Sequence, residues 1–385
     1  MGSKGDADRY DLAVIGAGIV GLAHALAAAR AGLRVAVIER DLRANGASIR
    51  NFGFITVTGQ SQDGVWAHAR RSRDVWAEIA PQAGIAVEHE GLVLTLRRPE
   101  AVAVAEAFLA TEMGEDCQLL NAAGLAARFP ELAAAEALGA LWSPHELRVA
   151  SPAAIPALAG FLARQHGVTF HAGAAALAVA PPVIETSRGP IAAERAVICP
   201  GDDFASLFPE RIAAYRLQRC RLSMLRLAAP GFRWPAGVMS DLGLVRYRGY
   251  ADLPEAAALK RRLEQEQAQH LAHGVHLIAV QNADGSLVVG DSHHYDDLPD
   301  PFAPAEAEAL ILDEFTRATG LVAPPVEARW TGVYAVSKER PYLVDAPSPE
   351  VRLVMVTSGT GASTAFGIAE QVVAELCNVS TGTGG

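Results

Sequence analysis

Cysteine is scarce in this chain, with four residues among 385, at positions 117, 199, 220 and 377. They show neither C-x-x-C nor any other metal-ligand spacing. That argues against a thiolate metal centre or a disulfide framework and leaves four reduced, mostly buried thiols. Long apolar runs are missing as well. Gly, Arg or Glu interrupts each of them well before the ~20 residues that a membrane span needs, so no membrane partner is expected. No basic, apolar and cleavable leader pattern is found, and the expected location is the cytoplasm. Positive charge is in deficit, with 33 bases against 43 acids and a net charge of −10. That balance speaks against a nucleic-acid partner. An anionic ligand would have to be met by cations placed locally. Half of the residues are hydrophobic, enough for a large core without disulfides, and the length suggests two domains.

The stretch that organises the chain is Tyr10 to Arg40, YDLAVIGAGIVGLAHALAAARAGLRVAVIER. Leu12–Ile15 is a short apolar run of the kind buried on both faces of a sheet. Gly16, Gly18 and Gly21 follow in G-x-G-x-x-G spacing. Ile19–Ala31 then reads as an alanine-rich helix stopped by Gly32, and Arg34–Ile38 as a second buried strand with Glu39 at its end. Each residue has a physical task. Gly16 permits the tight turn, Gly18 lets the backbone approach a pyrophosphate, and Gly21 packs helix against strand. The helix start, with Ala17 and Ile19, offers free N–H groups and partial positive charge to phosphates. Glu39 stands 18 residues beyond Gly21, where an acid can accept both hydroxyls of an adenosine ribose. An acid there suits FAD or NAD rather than NADP. Framed by strand, helix, strand and acid, the motif predicts dinucleotide binding; the bland reading is a glycine-rich turn of another α/β protein.

Further on, the polar stretch ERDLRANGASIRNFGF holds Arg40, Arg43, Ser48, Arg50, Asn51 and Phe52. Ala196–Asp202, AVICPGD, is a strand running into glycine. Val354–Thr364, VMVTSGTGAST, is a strand running into a Gly-rich helix start. On these segments the chain resembles the glycine oxidase/D-amino acid oxidase superfamily of FAD proteins over essentially its whole length. The resemblance implies an α/β fold: a discontinuous Rossmann-type FAD-binding domain and an antiparallel-sheet (α+β) substrate domain, D-amino acid oxidase-like. It also implies cofactor contacts from Ala176, Pro200, Gly201, Gly359, Gly361, Ala362, Ser363 and Thr364, besides the residues named above. The segments ASIRNFGF, LWSPHELRVASP, CPGDDFASLFP, GDSHHY and RWTGVY resemble one bacterial branch of the superfamily, associated with aminophosphonate catabolism. That implies oxidation of a small anionic amine such as N-methyl-2-aminoethylphosphonate, with O2 as electron acceptor. No cysteine occurs between Arg329 and Asp345 or in 357–367, where some relatives attach their flavin, so FAD is expected to be non-covalent.

The remaining elements follow from pattern. Gly64–Ala80 reads as a helix and Val87–Leu96 as a strand, followed by helices at Glu100–Ala110 and Ala122–Arg128. Ser151-Pro152 is a helix start, N-cap then N1, for a helix ending at Gly167. The FAD-binding domain is expected at 1–84, 141–218 and 340–385, and the substrate domain at 85–140 and 219–339. Leu217–Leu227, Gly243–Arg248, His276–Gln281, Ser286–Gly290 and Val326–Tyr334 read as strands of an antiparallel sheet roofing the flavin. Asp284-Gly285 is a hairpin turn between the third and fourth.

In such an enzyme the cofactor does the redox chemistry while the protein positions the substrate. Candidates come from the roof. Tyr334 stands near where relatives carry a carboxylate-binding Arg, and its hydroxyl can bond an anionic oxygen. His276 lies on an otherwise apolar strand face, a substrate contact or a satisfied core histidine. Gln281 and Asn282 follow at the strand end, and one of His293 and His294 is expected to face the site. With His and Asp so close in GDSHHY a metal is conceivable, but the spacing matches no recognised ligand pattern, and none is expected. Arg219 with Arg221, and Arg246 with Arg248, sit at i, i+2 on expected strands, so each pair would share a face. One of them, chiefly Arg221 or Arg246, or else Arg50, would hold the anion, since planar guanidinium suits a phosphonate. The alternative is a solvent-facing pair. A hydroxylase that also binds a nicotinamide cofactor, and a non-catalytic FAD-binding protein, remain as competing readings.

Overall fold

The computed structural model describes residues 9–378; the domain bounds expected at residues 1 and 385 lie outside them. Strands Arg9–Ile15 and Val35–Glu39 pair in parallel, Leu12 opposite Val35 and Ile15 opposite Ile38. Ile191–Ile198 flanks Arg9–Ile15 on its other side, also in parallel. Val351–Val356 continues the parallel run, Tyr342–Ser348 closes that edge antiparallel, and Thr169–Ala172 forms the opposite edge. Hairpin strands Ala176–Ala180 and Val183–Thr186 complete eight strands. Crossover helices cover the parallel strands and keep them dry. The helix Ile19–Arg30 buries nine of its twelve residues, because its alanines let it lie close to the sheet and to the helix Gly361–Cys377. Leu22 and Leu26 in this layer are at most 1% exposed, and burial of each contributes about 1.5–3 kcal/mol.

The second sheet has ten strands. Its longest pairing joins Gln218–Leu227 to Val326–Val336, with Cys220 opposite Tyr334. Gln218–Leu227 also pairs with Leu287–Gly290 and His294–Asp296. Gly285, at φ +85°, turns the hairpin between Ile278–Gln281 and Leu287–Gly290, as the Asp-Gly pair predicts. Three expectations need correction. The sheet is mixed rather than wholly antiparallel, because Gly237–Ser240 runs parallel to Val87–Leu96. The stretch 141–149, expected in the nucleotide portion, belongs to strand Gly139–Val149, which pairs with Val87–Leu96 in the second sheet. Residues 243–248 form no strand. Asp241–Val245 is a 3-10 turn followed by a short helix, Arg248–Ala251. The Gly243 carbonyl there accepts the N–H groups of Arg246 and Tyr247.

That turn is anchored by buried charge. Asp241 is fully buried, accepts the Arg97 N–H at 3.0 Å, and pairs with Arg98 Nη1 at 2.8 and 3.0 Å. Arg98 also donates to Glu266 (2.8 Å) and to Gln267, whose amide reaches the buried Glu314 at 2.6 Å. The helices Ala256–Glu266 and Ala305–Thr319 are thereby tied to the sheet. No helix of the described residues is long and apolar enough to cross a membrane.

Candidate active site

A cavity of about 490 Å³ runs from the glycine turn to the face of the second sheet. Its first end is backbone. Gly16 sits at φ +104°, and a Cβ there would lie 2.5 Å from the Cys199 carbonyl oxygen. A Cβ on Gly21 would lie 1.9 Å from the Gly16 oxygen, and one on Gly18 would lie 3.0 Å from Ser48 Oγ. These positions exclude side chains so that backbone lines the cavity at the start of helix Ile19–Arg30. Ser48 Oγ accepts the Ile19 N–H at 2.9 Å. The Glu39 carboxylate accepts the N–H groups of Ala17 (2.7 Å) and Asp41 (3.0 Å), which aims it at the cavity mouth beside Arg40. Asn51 braces the following loop through the Ala47 carbonyl and the Gly53 N–H, both at 2.7 Å. Pro200, Gly201 and Ala176 line the same cavity. Gly359 to Ser363 bring a second helix N-terminus to the opposite side, and the buried Ser363 hydroxyl receives the Thr56 N–H at 2.9 Å. A glycine cradle, an acid at the strand end and two helix starts on one cavity fit a flavin adenine dinucleotide.

The other end is lined by side chains. Tyr334 lies against Gly359, where a Cβ would be only 2.9 Å from its ring. Burial, above all, pushes its hydroxyl well above the usual phenol range. Arg246 donates to the Tyr295 hydroxyl at 2.9 Å and has no carboxylate in direct contact among the described residues. His276 sits 3.2 Å from the Tyr247 hydroxyl through Nε2 and 3.3 Å from Asp291 Oδ1 through Nδ1. His293 Nε2 lies 3.6 Å from Asp291 Oδ2. Burial is the main cause of every shift in this group. It lowers both imidazoles well below their ordinary value and raises Asp291 to about 7, against the opposing pull of Arg246.

The expected site residues therefore separate. Tyr334, His276, His293, Arg246 and Arg50 all line the cavity. Arg221 does not: although it sits on the strand beside Tyr334, its guanidinium donates to the carbonyls of Asp300 and Phe302. Arg219 is held by the Asp202 carbonyl and lies over Phe204. Arg248 reaches the cavity rim but is paired with Asp63 and Asp252. Gln281 is fully buried, bonding Trp234, Phe232 and Gly285, and Asn282 bonds Arg148 and Ser286; both brace the hairpin away from the cavity. Of the expected FAD contacts, Ala17, Arg43 and Thr364 are not in the cavity wall. Arg43 is exposed, and Thr364 turns its hydroxyl back to the Thr360 carbonyl. Asp291 is a cavity residue that strand reading passes over, because it lies beyond the end of Leu287–Gly290 with no periodic pattern around it. His276, Asp291 and His293 are a trio whose ligating atoms lie within 4.8 Å of one another, and Arg246 beside it adds a positive charge that opposes a metal cation.

The chain belongs to the FAD dependent oxidoreductase family, whose model matches residues 11–376. Its fold is that of several solved oxidoreductases. Glycine oxidase from Geobacillus kaustophilus superposes with a TM-score of 0.76 at 19% identity, covering 97% of this chain and 96% of that one. L-proline dehydrogenase from P. horikoshii gives 0.75 at 17%, covering 95% and 93%. Iminodiacetate oxidase from Chelativorans sp. BNC1 gives 0.70 at 15%, covering 96% and 95%. None of the curated proteins compared with the chain matches it. The protein is thus an FAD-dependent oxidoreductase with the D-amino acid oxidase-like fold.

Proposed function

We propose that the protein oxidises the C–N bond of a small amine bearing a phosphonate, such as N-methyl-2-aminoethylphosphonate, in the cytoplasm, with O2 as electron acceptor. Bound FAD, held without a covalent link, supplies the hydride acceptor. The neighbours of like fold include glycine oxidase and iminodiacetate oxidase, whose names are those of amine-oxidising enzymes. The observation that carries the anionic substrate is Arg246. It is the one member of the two expected arginine pairs that lines the cavity without a carboxylate in direct contact among the described residues. Its planar guanidinium can hold two phosphonate oxygens at once. Tyr334 can donate its hydroxyl to a third oxygen, because burial keeps that proton on. A guanidinium left unpaired in the cavity wall is costly, which disfavours neutral amines of the same length. Imine hydrolysis then yields a carbonyl compound and the free amine or ammonia.

The test compares kcat/KM for N-methyl-2-aminoethylphosphonate with those for sarcosine, glycine and N-methylpropylamine. The phosphonate is expected to lead. Arg246→Met should lower its kcat/KM by roughly 2–5 kcal/mol of transition-state binding while leaving N-methylpropylamine nearly unchanged. Equal or better turnover of sarcosine or glycine returns the protein to the amino-acid oxidase reading. Rapid flavin reduction by NAD(P)H would point to a hydroxylase, and a flavin that no amine bleaches would point to a non-catalytic FAD protein.

A further inference from the structure

The segment Gly290-Asp291-Ser292-His293 and the facing His276 make a cluster whose proton count does not close. His293 Nδ1 lies 2.8 Å from the Gly274 carbonyl. A carbonyl only accepts, so the hydrogen of the neutral ring is on Nδ1 and Nε2 turns a bare lone pair toward Asp291 Oδ2, 3.6 Å away. On the other side, His276 Nδ1 and Asp291 Oδ1 lie 3.3 Å apart without hydrogen-bond geometry, and both are buried and unpartnered. Asp291, His276 and His293 are 4%, 3% and 5% exposed, yet all three line the cavity. A buried carboxylate facing an imidazole lone pair is a place prepared for one proton that the protein itself does not supply.

We propose that Asp291, positioned by His276 and His293, is the residue on which the substrate's ammonium group docks and to which it gives its proton before oxidation. This rests on the reading of the cavity as an amine-oxidising site and names the group that makes the amine reactive there. The step balances without further reagents. An N–H bond of the ammonium breaks, an O–H bond forms on Asp291, and the nitrogen keeps the electron pair. FAD, when bound, would supply the acceptor for the carbon's hydride and its two electrons. The Arg246 charge favours the ionised Asp291 that receives the ammonium. The ionisable groups facing Asp291 are Arg246 and Tyr247 from the turn after Ser240, His276 and His293, and Cys220 from the long strand; His294 faces His293. Asp291 titrates at about 7, within reach of a proton it must both take and release.

The test uses the FAD-loaded protein and Asp291→Asn. Flavin reduction by saturating N-methyl-2-aminoethylphosphonate or sarcosine is followed anaerobically from acid pH to above the amine's own ionisation, near ~10. In the wild type the rate should rise through one ionisation near neutrality and then level. Asp291→Asn should be at least ~100-fold slower at neutral pH and recover as the amine is deprotonated by solution, with an unchanged flavin spectrum. Independently, 2-amino-2-methylpropylphosphonate has no hydrogen on the carbon next to nitrogen and cannot be oxidised there; it should bind Asp291→Asn at least about tenfold more weakly at neutral pH. A loss of the same factor at every pH, an unaltered rate, or a stoichiometric metal lost with Asp291 overturns the proposal. If the variant does not hold FAD, the wild-type profile decides: a rate that follows only the amine's own ionisation overturns it. A flavin that no amine reduces overturns this reading together with the proposed function, whereas reduction with an unaltered pH profile overturns this one alone.

Discussion

At Gly18 the chain has no room for a side chain. The residue has an ordinary extended φ of −70°, so its requirement is contact rather than backbone strain. A Cβ would press on Ser48 Oγ, which already holds the Ile19 N–H, and the branches of a valine would fill the space where backbone meets pyrophosphate. Gly18→Val is therefore expected to purify folded but colourless, with circular dichroism like the wild type and absorbance near 450 nm lost. Full flavin content in this variant would contradict the placement of the cofactor. The same scale shows why some site residues are readable in sequence and others are not. Gly16, Gly18, Gly21 and Glu39 act through residues a few positions away. Arg246 and Arg248 are alike in sequence, and only their surroundings separate them: one faces the cavity, the other is neutralised by Asp63 and Asp252. Asp291 and His293 stand close together in GDSHHY, but His276 joins them only when the strands pair, and nothing local shows that the cluster faces the cavity.

Elements with strong periodicity are visible before folding. The helix Ser151–His166 ends on Gly167 at φ +66° as expected but starts one residue early, with Ala150 rather than Ser151 as its N-cap; strand Val87–Leu96 has the expected bounds. The failure at 243–248 has a physical cause. Leu244 and Val245 favour a strand, but the buried Asp241 binds Arg97 and Arg98 and tertiary charge overrides local propensity. Arg98→Met is expected to destabilise the FAD-loaded protein by about 3–5 kcal/mol, because Asp241 would stay buried without its partner. Urea unfolding should show the loss, and Arg98→Met combined with Asp241→Leu should recover much of it. A single variant as stable as the wild type would mean that Glu314 and Gln267 hold the turn without Arg98.

For the whole molecule, buried ionisable groups set the response to acid. His24 and His89 are pushed down to about 4, and His276 and His293 well below their usual value, chiefly by burial. The unfolded chain takes up these protons from about pH 6.5, while in the folded chain His24 and His89 refuse them until about pH 4 and His276 and His293 until well below their usual value. Their contribution is thus present above pH 6.5 and lost as pH falls toward 4. Asp291 and Glu314, both raised to about 7, work in the opposite sense, favouring the fold below their unfolded values and less so as pH rises to 7. Four imidazoles outweigh two carboxyls. Asp203, Asp345 and Glu308, held low in the folded state, add to the acid loss. The thermal midpoint of the FAD-loaded protein should accordingly fall steadily from pH 6.5 to 4; a flat or rising midpoint would contradict the burial of these groups. The amino-acid sequence by itself determined the nucleotide cradle, because a tight turn, a close backbone approach and a helix start are all made within a ~30-residue unit. Only the tertiary structure decided the substrate end. Tyr334, His276, Asp291 and Arg246 come from four separate segments, and sheet pairing and burial, which no local pattern records, choose which of their neighbours turn into the cavity and which are spent bracing the fold.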